Sequence, residues 1–312
     1  MNLPHLHLLL NHFPTVGFIV GLGLFLVGVV GKSEDLKRAA LAVFVMISLL
    51  TIPVYVSGSA AQFAIQDSPD VSVPSIAAHR DTALLALVLM ELTGLFAWVG
   101  LWQYFRASGL TRASLIAVLV FAFLTVAVTA QAANIGGEIR HPEIQSPQEA
   151  AAAEGTGGSD IARSIGSFVT AHPWVWPTCE TLHFIGLCLL FTVVLIVDLR
   201  LLGMAKKVSF AALYQLLPLG ILGFGLNLLT GMMFFMATPE QYVKNVAFQW
   251  KMILVFLAGI NALYFILFDE AWTVGPGDDA PLTAKVVAGS AIFLWLGVLF
   301  FGHMLPFIGN AF

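Results

Sequence analysis

Charge is what this chain lacks. Asp, Glu, Lys and Arg make up 10% of its 312 residues, and 59% are hydrophobic. Soluble domains carry about 25% charged residues, so the composition is that of a membrane protein. Cysteine is almost missing. Cys179 and Cys188 are the two present, and Cys188 lies inside an apolar run, which argues against a disulfide framework. Neither HExxH nor CxxC occurs, so a closed zinc site, with its four tightly placed N and S ligands, is not expected. The net charge of −4 and the absence of a basic tract exclude a nucleic-acid partner. There is no Gly-rich phosphate loop, no nucleotide motif and no Ser-His-Asp pattern. Catalysis by the protein's own side chains is therefore not expected. The N-terminus has neither the basic region nor the small-residue cleavage site of a signal peptide, and it reads as mature protein.

Long apolar runs are what the chain has instead. A bilayer core needs about 20 mostly apolar residues per helix. Eight stretches qualify: Phe13–Val30, Ala39–Ser57, Thr82–Trp102, Ser114–Gln131, Cys179–Val197, Phe210–Ala237, Trp250–Phe268 and Val286–Gly302. They are continuous rather than alternating, which favours helices over a barrel. The expected fold is an all-α integral membrane protein of eight transmembrane helices, arranged as two adjoining four-helix bundles. Residues 1–145 form the first bundle and 177–312 the second. Between them, 146–176 reads as an outer loop, with the small and polar "SPQEAAAAEGTGGSD" at its heart.

The loops after spans one, three and five carry Lys32, Lys37, Arg38, Arg106, Arg112, Arg200, Lys206 and Lys207. Lys285 precedes span eight. Nine of the 14 Lys and Arg residues thus lie on one side, which the positive-inside rule makes cytoplasmic. The expected location is a bacterial inner membrane, multi-pass, with both termini periplasmic.

All eight histidines map to the opposite, outer side. His5, His7 and His12 precede span one, and His79 precedes span three. His141 follows span four, and His172 lies in the long loop. His183 is inside span five, and His303 closes span eight. One such histidine is ordinarily an interfacial or hydrogen-bonded residue. A set at one depth on several helices is different, because facing imidazoles in a bundle core are how membrane proteins hold haem iron. In an up-down bundle spans one and three are diagonal, so His12 and His79 are expected to ligate one iron. Spans five and eight are neighbours, which makes His183 and His303 a second pair. His141 is an alternative to His12 or His79, or a partner for His5 or His7. If the helix of span one extends backwards, His5 and His12 share a face. His7 then points elsewhere and reads as interfacial.

Other polar groups in the spans are costly in lipid and carry weight. Glu91 lies near the middle of span three, suited to a proton path, a quinone pocket or an interhelical bond. Glu180 is one turn before His183 and could orient it. Asn227 and Asn261 read as interhelical hydrogen-bonding groups, Lys251 as an interfacial lysine that snorkels, and Asp198 with Arg200 as an ion pair. Met232, Met233, Met236 and Met304 approach the outer side, and thioethers suit Cu(I). Gly17, Gly21 and Gly28, and the glycines of "GILGFGLNLLTG", fit small-residue helix packing as well as room for a flat cofactor.

Residues 5–145, with His5, "NHFP" at Asn11–Pro14, "AHRDTAL" around His79 and "GGEIRH" at Gly136–His141, resemble a family of bacterial four-span membrane proteins. The resemblance implies haem-b binding by these histidines. Residues 177–268 resemble a second, uncharacterised family of bacterial membrane domains. Its matching stretches are "ETLHFIGLCLLFTVVLIVDLRLLG", "LLPLGILGFGLNLLTGMMFF" and "AFQWKMILVFLAGINALYF", and His183 is the family's histidine. Members often carry another histidine just after "NALYF". Ile266 to Asp269 supply none, which shifts the weight to His303. More loosely, the chain is similar to membrane b-type cytochromes.

The function expected is that of a membrane b-type cytochrome subunit holding one or two haem b groups. Electrons would pass between a periplasmic cytochrome c or redox enzyme subunit and the membrane, with quinone as a further candidate. It is an electron-transfer subunit rather than a stand-alone enzyme. The alternatives are a copper or proton transporter or channel, for which Glu91 and a broken helix at "TIPVYVSGS" would speak, and a cofactor-free membrane anchor of a larger complex.

Overall fold

The computed structural model describes residues 3–66, 71, 73–107, 109–139, 161–268, 271 and 273–308. Twelve helices and no strand occur among them. Eight helical stretches are long and apolar enough to cross a bilayer. The protein is an all-α, multi-pass membrane protein. It divides into two compact units, Met1–Ser164 and Ile165–Phe312.

In the first unit, α1 (Leu3–Leu10) and α2 (His12–Val30) together make span one, broken at Asn11. They are followed by α3 (Glu34–Ile65), α4 (Val73–Ala107) and α5 (Arg112–Glu138). Polar caps set the starts at the basic end of the bundle. The Ser33 hydroxyl accepts from the Leu36 N–H at 3.3 Å, with Glu34 and Asp35 in the first turn of α3. Thr111 caps α5 in the same way, each side chain satisfying a donor that the first turn leaves open.

Each helix packs on the next, and α5 returns to α2, which closes a four-helix ring. Spans one and three are diagonal, as an up-down bundle requires. Phe18, Phe25 and Phe44 fill the α2–α3 seam, with ring centroids 5.3 and 6.2 Å apart. Gly21 lets Phe44 in, since a Cβ there would stand 2.9 Å from its ring. The helix α3 runs unbroken through Pro53, so "TIPVYVSGS" is not a broken segment. Pro53 lacks the N–H that would bond back along the helix, yet the surrounding bundle holds the helix together.

The second unit begins in α6 (Ile161–Ala171), which lies within the stretch expected to be loop. Its Ile165 and Val169 pack with Val175 and Cys179. Then come α7 (Val175–Leu201), the short α8 (Phe210–Tyr214), α9 (Leu217–Ala237), the short α10 (Pro239–Lys244), α11 (Val246–Leu267) and α12 (Leu282–His303). α7 packs on α9 and on α12, and α12 on α11. Phe235 of α9 stacks on Phe248 of α11 at 5.9 Å, completing the ring. Between α7 and α9 the backbones approach closely. A Cβ on Gly223 would lie 2.6 Å from the Gly186 carbonyl oxygen.

The basic end of this unit is held by Arg200, which is fully buried. Its guanidinium donates to the carbonyls of Val208 at 2.7 Å, Gly275 at 2.8 Å and Asp278 at 3.3 Å, and lies 5.0 Å over the Phe210 ring. No ion pair joins Arg200 to Asp198 among the described residues. Asp198 Oδ2 is buried without a hydrogen-bond partner there. On the surface, Lys206 and Lys285 sit 2.9 and 3.4 Å from the Asp279 carboxylate and hold its pKa below the usual aspartate value.

Candidate functional site

Histidines gather at the non-basic end of each unit, and the structure sorts them by what their Nδ1 atoms touch. In the first unit α1 packs on α3. That contact turns His7 inward, half-buried, with Nδ1 donating to the Val54 carbonyl at 3.0 Å. The Ser57 hydroxyl donates to the same carbonyl at 2.9 Å. His79, in the second turn of α4, donates its Nδ1–H to the Ala132 carbonyl of α5 at 2.9 Å. A carbonyl has no hydrogen to give, so both imidazoles carry their proton on Nδ1 and present Nε2 as a lone pair. No described residue bonds either Nε2.

The same local device holds both rings. Val54 lies one helical turn before Gly58, and Ala132 one turn before Gly136. A Cβ on Gly58 would stand 3.0 Å from His7 Cε1, and one on Gly136 would stand 2.9 Å from His79 Cε1. Each imidazole therefore packs edge-on against a glycine, most tightly at Gly136, where a Cβ would force the ring to shift, and from there it reaches the carbonyl.

His12 is placed differently. It is exposed, and its Nδ1 is bonded by the side chain of its neighbour Asn11. His5 is exposed as well. His7, in contrast to both, is half-buried. The face that turns inward is that of His7. His7, rather than His12, thus shares with His79 a half-buried setting in which Nδ1 is held by a backbone carbonyl. His141 lies outside the described residues.

In the second unit His183 sits about two turns into α7. The Thr230 hydroxyl spends its hydrogen on the Leu226 carbonyl at 2.6 Å, so it accepts from His183 Nδ1 at 2.8 Å. Here too the tautomer leaves Nε2 as the lone pair. Phe234 lies 5.9 Å from the imidazole, and Trp176 4.8 Å from Phe234. His303 is exposed and packs its ring 5.8 Å from Phe307. No described hydrogen bond or ring contact joins it to His183. His172 is exposed in a small aromatic group with Phe168 and Trp174, and its Nδ1 donates to the Phe168 carbonyl.

Lys251, in the second turn of α11, is half-buried. Its stem crosses Gly302 of α12, and the Nζ is 3.7 Å from where a Cβ would stand. A lysine inside an apolar span is costly.

Of the remaining candidates, Glu91 has a buried Oε1 with no hydrogen-bond partner among the described residues. Asn261 bonds the Val287 carbonyl and the Ser290 hydroxyl of α12, as expected of an interhelical amide. Asn227 instead bonds Gly223 within its own helix. Both cysteines are free. The buried Cys179 thiol donates to Met233 Sδ at 3.7 Å inside an apolar cluster. No group of three or more His, Cys, Asp or Glu converges among the described residues.

No family model matches the chain, and neither a curated protein nor a solved structure matches it.

Proposed function

We propose that the protein is a b-type cytochrome subunit of a bacterial inner membrane, with His7 and His79 as the axial ligands of one haem b. The carrying observation is the pair of Nδ1–H bonds to the carbonyls of Val54 and Ala132. Histidines that bind a metal through Nε2 characteristically donate the other nitrogen to a backbone carbonyl or carboxylate, which fixes the tautomer and raises the basicity of the ligand. Two such imidazoles from different helices of one bundle are the minimum that six-coordinate haem iron asks of a protein.

The residues fit the group in other respects. Gly58 and Gly136 keep the ring edges unobstructed, and the apolar bundle around them gives the low dielectric that tunes a haem potential. When bound, haem supplies reversible one-electron transfer. The chain's own contribution is to hold the two Nε2 lone pairs in place and to exclude water from between the helices. The positive-inside pattern supports reading this end of the bundle as the periplasmic face, where a cytochrome c or a redox enzyme subunit would reach it. The membrane pool, with quinone as its mobile carrier, is the other terminus.

The test is a reduced-minus-oxidised visible spectrum of protein purified with haem supplied during expression. A b-type α-band is expected. It should be lost in His7→Ala and in His79→Ala and kept in His12→Ala. A wild-type protein without haem absorbance sinks the reading. Full haem in His7→Ala with loss in His12→Ala replaces the ligand pair.

A further inference from the structure

A thiol and a thioether face each other across the α7–α9 seam of the second unit. Cys179 Sγ of α7 lies 3.7 Å from Met233 Sδ of α9. Cys179 is 4% exposed, and Val169, Val175, Ile165, Trp176 and Phe234 pack around the pair. One turn deeper the same seam carries a second polar contact, His183 Nδ1 on the Thr230 hydroxyl at 2.8 Å. Cys179 and His183 are four residues apart on α7 and so lie on one face of it. Thr230 and Met233 are three apart on α9 and do the same. The two cross-seam contacts therefore bring a thiol, a thioether and an imidazole into one apolar seam within a single helical turn.

Packing alone accounts for a methionine beside a cysteine. It does not account for a lone-pair nitrogen in the same seam. The Nδ1–H of His183 is spent on Thr230, so Nε2 can only accept, and no described hydrogen bond reaches it. All three donors are of the kind that soft cations select. The sulfur separation bears on how many would bind. A metal–sulfur bond is about 2.3 Å, so two sulfurs on opposite sides of an ion stand roughly 4.6 Å apart. At 3.7 Å they enclose an angle of about 110° at the ion, which leaves one side of it open to a third donor. His183 is the donor that the seam offers. The apolar surroundings set the charge. On binding, the Cys179 thiol loses its proton to solvent, and a thiolate with a monovalent cation is neutral. A divalent ion would leave a net charge buried there, which is costly. Cu(I) is the soft monovalent ion that thiolate and thioether favour.

We propose that the Cys179 thiolate, the Met233 thioether and His183 Nε2 form a three-coordinate site for Cu(I). Thr230 is a positioning residue, because it holds the imidazole in the tautomer that presents Nε2. The site lies in the second unit, uses neither His7 nor His79, and stands independently of the haem reading. Of the methionines near the outer side it selects Met233 and gives Met232, Met236 and Met304 no part.

The experiment titrates Cu(I) into the full chain in nanodiscs, without oxygen, in competition with the chelator bathocuproine disulfonate. One Cu(I) per chain is expected. Cys179→Ser, Met233→Leu and His183→Ala should each weaken binding about tenfold or more, and Thr230→Val by about tenfold to a hundredfold, the usual cost of removing the group that orients a ligating histidine. Cys188→Ser, at the exposed cysteine, and Met304→Leu should bind as wild type does. Met233→Leu and Thr230→Val nearly keep the side-chain volume, and thermal unfolding of each beside wild type shows that lost binding is not lost folding. X-ray absorption at the copper edge should give two sulfurs and one nitrogen. Wild-type affinity in Cys179→Ser, Met233→Leu or His183→Ala overturns the proposal. So does a copper shell without sulfur, or displacement of Cu(I) by an equal concentration of Zn(II). Loss of haem from His183→Ala also overturns it, since His183 would then be an iron ligand. Haem absorbance without Cu(I) binding removes this inference and leaves the haem reading standing. Cu(I) binding without haem does the reverse.

Discussion

The imidazole edge of His79 occupies the space where Gly136 has no Cβ; an alanine methyl there would stand 2.9 Å from Cε1 and 3.1 Å from Nδ1. No rotation of a methyl relieves such a contact. The ring, held at the Ala132 carbonyl, would have to leave its bond. Gly136→Ala should therefore weaken haem retention about tenfold or more, the scale of a one-methyl overpacking of 1–3 kcal/mol. Gly58→Ala should do the same through His7. Gly23→Ala on the same bundle meets nothing within 4 Å and should not. Competition for haem with apomyoglobin measures this. Wild-type retention in Gly136→Ala would mean that the glycine contact does not position the ligand.

The α7–α9 crossing makes a second prediction, about stability alone. A Cβ on Gly223 would meet the Gly186 carbonyl oxygen at 2.6 Å and the Leu190 nitrogen at 2.7 Å. Backbone cannot step aside as a side chain can, so Gly223→Ala should cost about 1–3 kcal/mol. Gly225, two residues along the same helix, faces open space. There alanine should be neutral or gain up to about 1 kcal/mol of helix propensity. Unfolding followed by circular dichroism in mixed micelles compares the two. Equal effects would show that the two helices do not meet at Gly223.

Much of this architecture was legible in the residues, and the reason is physical. A span must satisfy its backbone within itself and expose apolar side chains to lipid, so eight apolar runs of bilayer length announce eight helices. The ends were less legible. α4 begins at Val73 rather than Thr82, because its first turns mix polar and apolar residues as interfacial helix does. The inward face of α1 was not legible at all. In soluble helices the apolar stripe marks the buried side. In "LPHLHLLL" apolar residues lie on every face, so the 3.6-residue period separates His7 from His5 and His12 without saying which side turns inward. Only the packing of α1 on α3 decides it.

Arg200 and Asp198 lie two residues apart at the end of α7, and an ion pair between them was the expectation. The structure instead gives Arg200 three backbone carbonyls from two separate segments and leaves Asp198 Oδ2 buried without a described partner. The two arrangements predict opposite signs for Asp198→Asn. If the residues were paired, removing the carboxylate would leave the guanidinium buried and uncompensated, and Asp198→Asn would lose stability. With Arg200 held by carbonyls, Arg200→Lys replaces a planar fork by one point donor. It can serve one of the Val208, Gly275 and Asp278 oxygens but not all three. A loss of about 3 kcal/mol follows if two bonds to a charged group are given up. Asp198→Asn removes a carboxylate that no described residue stabilises, and it supplies an amide donor in its place. That variant should be as stable as wild type or more so, by up to about 1 kcal/mol. Thermal unfolding of the two variants side by side reads the signs directly, and a loss of comparable size in Asp198→Asn would restore the ion pair.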